Sequence, residues 1–243
     1  SEVIPEDDLA TLQVNLIRSH ACGIGERMSI QDTRAMMCVR ANSLVKGNSG
    51  VKRDIIEQIV TFLNEDIIPV VPRIGSLGAS GDLAPLSHMA LALIGEGEVW
   101  GPDGPIKTSK LLKEKGLIGV ELSAKDGLSL INGTSQMCSF LTKADILLGN
   151  LLPMADLIAC VSLEARECSI KPMDERVHNA RPHVGQSLVA KRISSIMRNS
   201  QILIAHADCD KVQDAYSFRC IPQVHGAVLE SFYKLTSTIG IEI

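Results

Sequence analysis

Apolar residues recur along most of the chain at three- and four-residue spacing and almost nowhere in strict alternation, the signature of amphipathic helices. The first such helix is expected over residues 5–22. Pro5 suits a first turn, Glu6, Asp7 and Asp8 complement its positive end, Leu9, Leu12 and Leu16 form one stripe, and Gly23 stops it. Ser29 and Asp32 make a Ser-x-x-Asp start for a second helix carrying Met36, Met37, Val39 and Leu44 up to Gly47. A third follows Asn48-Ser49-Gly50, with Ile55, Ile56, Ile59, Val60 and Leu63 inward.

Ile67 to Gly81 breaks the pattern. Pro69 and Pro72 forbid a regular helix there, and Gly75, Gly78 and Gly81 permit sharp bends. A helix resumes near Asp82, with Leu86, Met89, Ala90 and Leu93 inward, and ends near Gly95. Glu98 to Pro105 reads as a turn or small hairpin, and Thr108 as the cap of a short helix to Lys115. Leu128 to Arg166 is long and helical, with breaks at Asn132-Gly133 and Pro153; 174–197 and 223–238 are helical too, and 201–214 is ambiguous. There are no internal repeats and no low-complexity segments. The expected fold is mainly α, a bundle of long helices with one glycine-rich loop, in a single domain over residues 1–243.

Composition narrows the function classes. Of 243 residues, 45% are hydrophobic and 21% charged, ordinary for a globular protein; aromatics are only 3%, so aliphatic side chains, Met and Ala fill the core. The net charge of −4 comes with no basic patch, which argues against a nucleic-acid partner. Seven cysteines without a Cys-x-x-Cys or any metal-ligand spacing suggest reduced, mostly buried thiols and a cytoplasmic protein without a metal. No secretory signal is expected. The least polar stretch, Ile146 to Leu163, is interrupted by Asn150, Pro153 and Asp156, and reads as a buried core helix rather than a membrane span. The chain opens on Ser1 and closes at Gly240-Ile241-Glu242-Ile243 in mid-pattern, which reads as a piece of a longer protein.

The chemistry concentrates in residues 75–88, Gly-Ser-Leu-Gly-Ala-Ser-Gly-Asp-Leu-Ala-Pro-Leu-Ser-His. Glycine shields its amide nitrogen little and reaches backbone angles closed to other residues. In a tight bend the Gly81 nitrogen can attack the carbonyl carbon of Ala79. Loss of one water closes a five-membered ring, and loss of a second, from Ser80, leaves an exocyclic methylidene. The product is an electrophile, a role no ordinary side chain fills. A bare Ala-Ser-Gly is otherwise an ordinary loop. The spacing and lysine of a phosphate-binding loop are absent.

This fourteen-residue stretch resembles the signature of the aromatic amino acid ammonia-lyase family, whose Ala-Ser-Gly becomes a 4-methylidene-imidazol-5-one (MIO) group. Four more stretches resemble the same family in its own order: Asn-Leu-Ile-Arg-Ser-His ending at His20, Ser-Leu-Ile-Asn-Gly-Thr around Asn132, Gln-Asp-Ala-Tyr-Ser-Phe-Arg from Gln213 to Arg219, and Pro-Gln-Val-His-Gly from Pro222. Singly, each has an ordinary explanation: His20 as a helix-end residue, Asn132-Gly133 as a turn, Arg219 as an ion partner of Asp214. His178, His183, His206 and His225 show no ligand spacing and read as structural, and Gln136 and Gln223 as supporting groups at most. The resemblance extends over essentially the whole chain.

The resemblance implies a non-oxidative elimination of ammonia. Ala79, Ser80 and Gly81 would supply the electrophile, Asn132 a hydrogen bond to its ring oxygen, and Tyr216 proton movements beside it. Arg219 would hold the substrate carboxylate as a bidentate fork, with Gln213 orienting polar groups. Ser19-His20 stands where members acting on histidine carry Ser-His, which implies L-histidine as substrate and urocanate as product. Alternatives are a tyrosine or phenylalanine ammonia-lyase or aminomutase, or a non-catalytic helical fragment. The family's catalytic tyrosine lies in a Tyr-Gly-x-Asn-Thr-Gly motif, and neither Tyr216 nor Tyr233 sits in one. The resemblance also implies a homotetramer whose sites draw on three subunits, so this stretch is expected to hold only part of a site.

Overall fold

The computed structural model describes residues 5, 8–78 and 80–243. Helices dominate it, as the spacing of apolar residues requires. The chain divides into two compact units, residues 1–143 with 242–243 and residues 144–241.

The first unit contains α1 (Leu9–His20), β1 (Ile24–Arg27), α2 (Ile30–Val45), α3 (Arg53–Asn64), β2 (Pro72–Ile74), α4 (Leu83–Leu93), β3 (Glu98–Gly101), β4 (Gly104–Lys107), α5 (Thr108–Glu114) and α6 (Asp126–Ile131). The helix α7 (Ser135–Ala165) begins in this unit and continues into the second. The core is built from Ile17, Met36, Leu44, Ile59, Phe62, Leu86, Met89 and Leu93, each fully buried. α4 lies at its centre: Leu86, Met89, Ala90 and Leu93 all point inward, as expected. The Ser29 hydroxyl accepts from the Asp32 amide (3.1 Å) and starts α2 where the sequence placed it.

Several local expectations change. α1 begins at Leu9; Glu6 and Asp7 lie outside the described residues. Val60 on α3 is exposed, because the buried stripe falls on Ile55, Ile59 and Phe62, one position round the helix. The hairpin at 98–105 exists as the antiparallel pair β3–β4, but the N-cap of α5 is Lys107, and Thr108 is buried inside the first turn. β1 and β2 form a second antiparallel pair that the periodicity did not indicate, since both strands are short and exposed.

The second unit holds the rest of α7, α8 (Glu175–Asn179), α9 (Val184–Met197), α10 (Gln201–Ala205), α11 (Tyr216–Arg219) and α12 (Ile221–Glu242). Its core is Leu163, Met173, Val189, Ile193, Met197 and Leu229 with the thiols of Cys160 and Cys168. Buried Asp156 on α7 binds Arg192 on α9 and His225 on α12, tying three helices at one charge. Pro153 does not interrupt α7. One lost hydrogen bond is outweighed by a helix propagating on both sides of it.

The apolar stretch 146–163 is helical but not a core helix within this chain. Ile146, Leu151, Met154, Ile158 and Val161 are exposed, because α7 is apolar on more sides than its neighbours in the second unit cover. By length and composition α7 could also cross a membrane. The seven cysteines are free, but only Cys138, Cys160 and Cys168 are buried; Cys22, Cys38 and Cys209 are exposed.

Candidate functional site

The glycine-rich loop closes on itself. The Leu77 amide donates to the Gly81 carbonyl (3.2 Å), so the chain doubles back between 77 and 81. Gly81 has φ of 77°, in the left-handed region that glycine enters at least cost. A Cβ at this position would overlap the Gly133 carbonyl oxygen. Ser80 is exposed; Ala79 lies outside the described residues.

Two helix N-termini meet the loop. Asp82 directly precedes α4, and its carbonyl accepts from the Leu86 amide (2.9 Å). The fully buried carboxylate of Asp82 also takes the first amides of α7: Oδ2 accepts from Gln136 N (2.6 Å) and Met137 N (3.1 Å). The partial positive charge at the N-terminus of α4 favours an electron-accepting group beside it, whereas that of α7 is met by the Asp82 carboxylate.

The loop is joined to the Asn132-Gly133-Thr134 segment linking α6 to α7. Gly81 pairs with Gly133 as a parallel bridge, and the Asp82 amide donates to the Gly133 carbonyl (2.8 Å). The structure thereby brings Ser80, Gly81 and Asn132 into one region, with Ser80 and Asn132 both exposed. Gln136 is buried below them, and its Nε2 donates to the Arg73 carbonyl (3.3 Å).

Arg40 lies beneath this segment and was not among the residues picked out from the sequence. It is 3% exposed, and its Nη2 donates to the carbonyls of Ser129 and Asn132. Burial lowers its pKa to about 10, against the opposing pull of the Asp82 charge. The signal was present: Arg40 occupies a core-facing position of α2 between Met36, Met37 and Leu44. His88, inside the fourteen-residue stretch, also has a definite partner: its Nε2 accepts from the Gly23 amide (3.1 Å), and burial lowers its pKa.

His20 ends α1 and is half-buried. Its Nδ1 faces the Leu16 carbonyl (2.8 Å) and the Ser19 hydroxyl (3.0 Å). A carbonyl only accepts, so Nδ1 carries the proton and Nε2 of the neutral ring is left as an acceptor.

The other three candidates belong to the second unit. Gln213 and Arg219 line a cavity of about 510 Å³ with Lys171, His206, Lys211 and Asp214. Arg219 forms no ion pair with Asp214 among the described residues. Its Nε donates to the Asp214 carbonyl (3.0 Å), while the Asp214 carboxylate accepts from the Ser169 amide (2.7 Å). The Arg219 guanidinium lies 5.5 Å from the ring centre of Tyr216, which is 72% exposed. Its two terminal nitrogens make no hydrogen bond among the described residues, leaving a planar fork for an anion. His178 is structural, bonded to the Pro172 carbonyl and Gln186. No group of three metal-binding side chains occurs among the described residues.

The residues present fit a ring closed from 79–81. Gly81 is bent at a φ of 77° that favours glycine, and the Gly133 carbonyl fills the space a side chain would need there.

The sequence model of the family described as "Aromatic amino acid lyase" matches residues 1–243. The chain is 44% identical to histidine ammonia-lyase of Koribacter versatilis over 240 residues, 99% of this chain and 46% of that protein. It is 45% identical to histidine ammonia-lyase of Bacillus cereus over 241 residues, 99% and 48% respectively. Among solved structures, tyrosine aminomutase from Streptomyces globisporus superposes with a TM-score of 0.88 at 37% identity, covering 98% of this chain and 48% of that one. The chain thus spans a little under half the length of the curated relatives it matches.

Proposed function

Because the chain belongs to the aromatic amino acid lyase family, we propose that residues 1–243 form part of one helical lyase domain, in a longer protein that eliminates ammonia from L-histidine to give urocanate. The observation that carries the reading is identity above 40% to histidine ammonia-lyases along 99% of the chain. The closed loop at Gly81, held against Gly133, supports it from the structure.

Ser80 and Gly81, with Ala79, are the residues from which the MIO group forms, and that group supplies an electron-accepting centre for the substrate amine. Everything else falls to ordinary side chains and backbone. The N-terminus of α4 favours negative charge developing at the loop, while the first amides of α7 are taken by the Asp82 carboxylate. The exposed Asn132 side chain, next to the Gly133 that pairs with Gly81, supplies a hydrogen-bond donor at the loop. Arg219 takes the substrate carboxylate on its two terminal nitrogens, and Gln213 on the same cavity wall orients it. Tyr216 moves a proton near the reacting carbon. His20, with Nδ1 committed to Leu16, offers Nε2 to the N–H of an imidazole substrate. The exposed apolar side of α7 is covered by further copies in a cytoplasmic homotetramer.

The test is to supply the full-length protein with L-histidine or L-tyrosine and follow the absorbance of the unsaturated acid formed. Urocanate from histidine supports the proposal; turnover of tyrosine alone refutes it. That second outcome is the specific alternative, favoured by the likeness to tyrosine aminomutase.

A further inference from the structure

We propose that Arg40 is a positioning residue: it fixes the Asn132–Gly133 segment as the shelf against which Gly81 is bent, so that residues 79–81 can close into a ring. The inference rests on the reading that these residues form the electrophile.

The end of a helix leaves carbonyls without helical partners. α6 ends at Ile131, and Arg40 supplies donors to two carbonyls there, those of Ser129 and Asn132. A cation is favourable at that end of a helix. After the three-residue linker 132–134 α7 begins, and the Asp82 carboxylate takes amides of its first turn. The linker 132–134 is therefore pinned by a buried cation at one end and a buried anion at the other. Between the two pins, the Gly133 carbonyl accepts from the Asp82 amide and fills the space beside Gly81. A side chain on Gly133 would run into Arg40 Nη1, so the contact is close on both sides of the shelf.

The arrangement is costly for a purely structural one. A buried charge carries a desolvation penalty that an apolar residue of similar size avoids. Arg40 Nε and Asp82 Oδ1 are also buried without a partner among the described residues. The position lies on the buried face of α2 beside Met36, Met37, Ala41 and Leu44, where Met or Leu would pack without either cost. What the guanidinium adds is direction: two donors aimed at two carbonyls of a single turn.

The chemistry it serves is a balanced dehydration. The Gly81 nitrogen bonds to the Ala79 carbonyl carbon. The Ala79 oxygen leaves as water with one hydrogen from the Gly81 nitrogen and one from the Ser80 nitrogen, leaving a C=N bond. The second water takes the Ser80 hydroxyl and the hydrogen on its Cα, leaving a C=C bond. No oxidant or reductant takes part. Arg40 contacts none of these atoms. It acts by holding the Asn132 carbonyl, and so the adjoining Gly133 carbonyl that lies against Gly81.

The experiment uses the full-length protein made by cell-free synthesis, as parent and as R40K. The mass of the peptide containing residue 80 reports loss of two waters over time, and thermal melting reports the fold. R40K is expected to fold and to lose water about tenfold more slowly, because small misplacements of reacting atoms cost rate steeply. A folded R40K that matures at the parental rate overturns the proposal. As a second variant, R40A is matured with and without free guanidinium ion. Acceleration by guanidinium, and not by sodium at equal ionic strength, supports the role; equal rates in both overturn it. A parent protein that loses no water refutes the electrophile reading itself.

Discussion

The Gly133 carbonyl oxygen occupies the space where a side chain on Gly81 would begin, although 52 positions separate the two residues in the chain. This contact, with the φ of 77° at Gly81, makes the loop specific to glycine twice over. Gly81→Ala is expected to destabilise the protein by on the order of 1–3 kcal/mol from the backbone alone. It should also stop water loss at residue 80. Urea unfolding and intact-mass measurement check the two effects separately, and a variant that matures normally would contradict the geometry.

Ser80 is exposed and makes no hydrogen bond that holds the loop among the described residues. Ser80→Ala should therefore leave the melting temperature close to that of the parent. It removes the hydroxyl that would depart as the second water in the proposed cyclisation, so ammonia release by the full-length protein should fall by on the order of 10⁴-fold or more. Activity near the parental level in the full-length variant would end the proposed mechanism.

Arg219 commits only Nε, to the Asp214 carbonyl, and its two terminal nitrogens make no hydrogen bond among the described residues. Arg219→Lys replaces two parallel donors by a point charge. The expected result is a KM about tenfold higher, the equivalent of roughly 1.4 kcal/mol, with a smaller change in kcat. An unchanged KM would remove Arg219 from the carboxylate site.

His88 introduces a pH dependence of stability. Its Nε2 accepts from the Gly23 amide, which only the unprotonated nitrogen can do, and burial holds its pKa below the ordinary value of 6.5. Below that value the unfolded chain binds a proton that the native ring resists, so stability rises with pH across the window. The contribution is complete above 6.5 and is lost as pH falls through 6.5 toward the lower native value. Urea midpoints measured from neutral to mildly acidic pH should decline, and His88→Gln, which keeps an acceptor, should flatten the decline. A slope unchanged in His88→Gln would assign the pH dependence to other groups.

Much of this protein is determined locally and could be read along the chain. Apolar spacing located most of the helices, because an amphipathic helix buries one stripe and its period is written in the sequence. The Ser29 cap, the inward face of α4 and the hairpin near 98–105 depend on neighbours a few residues away. The motifs at 75–88, 132–134 and 213–219 placed the chain in its family, because the residue types alone carry that pattern.

Only the tertiary structure decided what those motifs rest on. Val60 faces outward, α7 passes through Pro153, and the apolar side of α7 is left uncovered in this chain, each a result of packing that no local window contains. The Asp82 side chain looked like a start signal for α4 and instead caps α7, more than fifty residues away. Arg40, which was not picked out from the sequence, holds two carbonyls about ninety residues further along. Sequence spacing encodes which face of a helix is apolar, but contacts between distant segments are fixed only when several helices pack together and every buried charge and backbone group must find its partner.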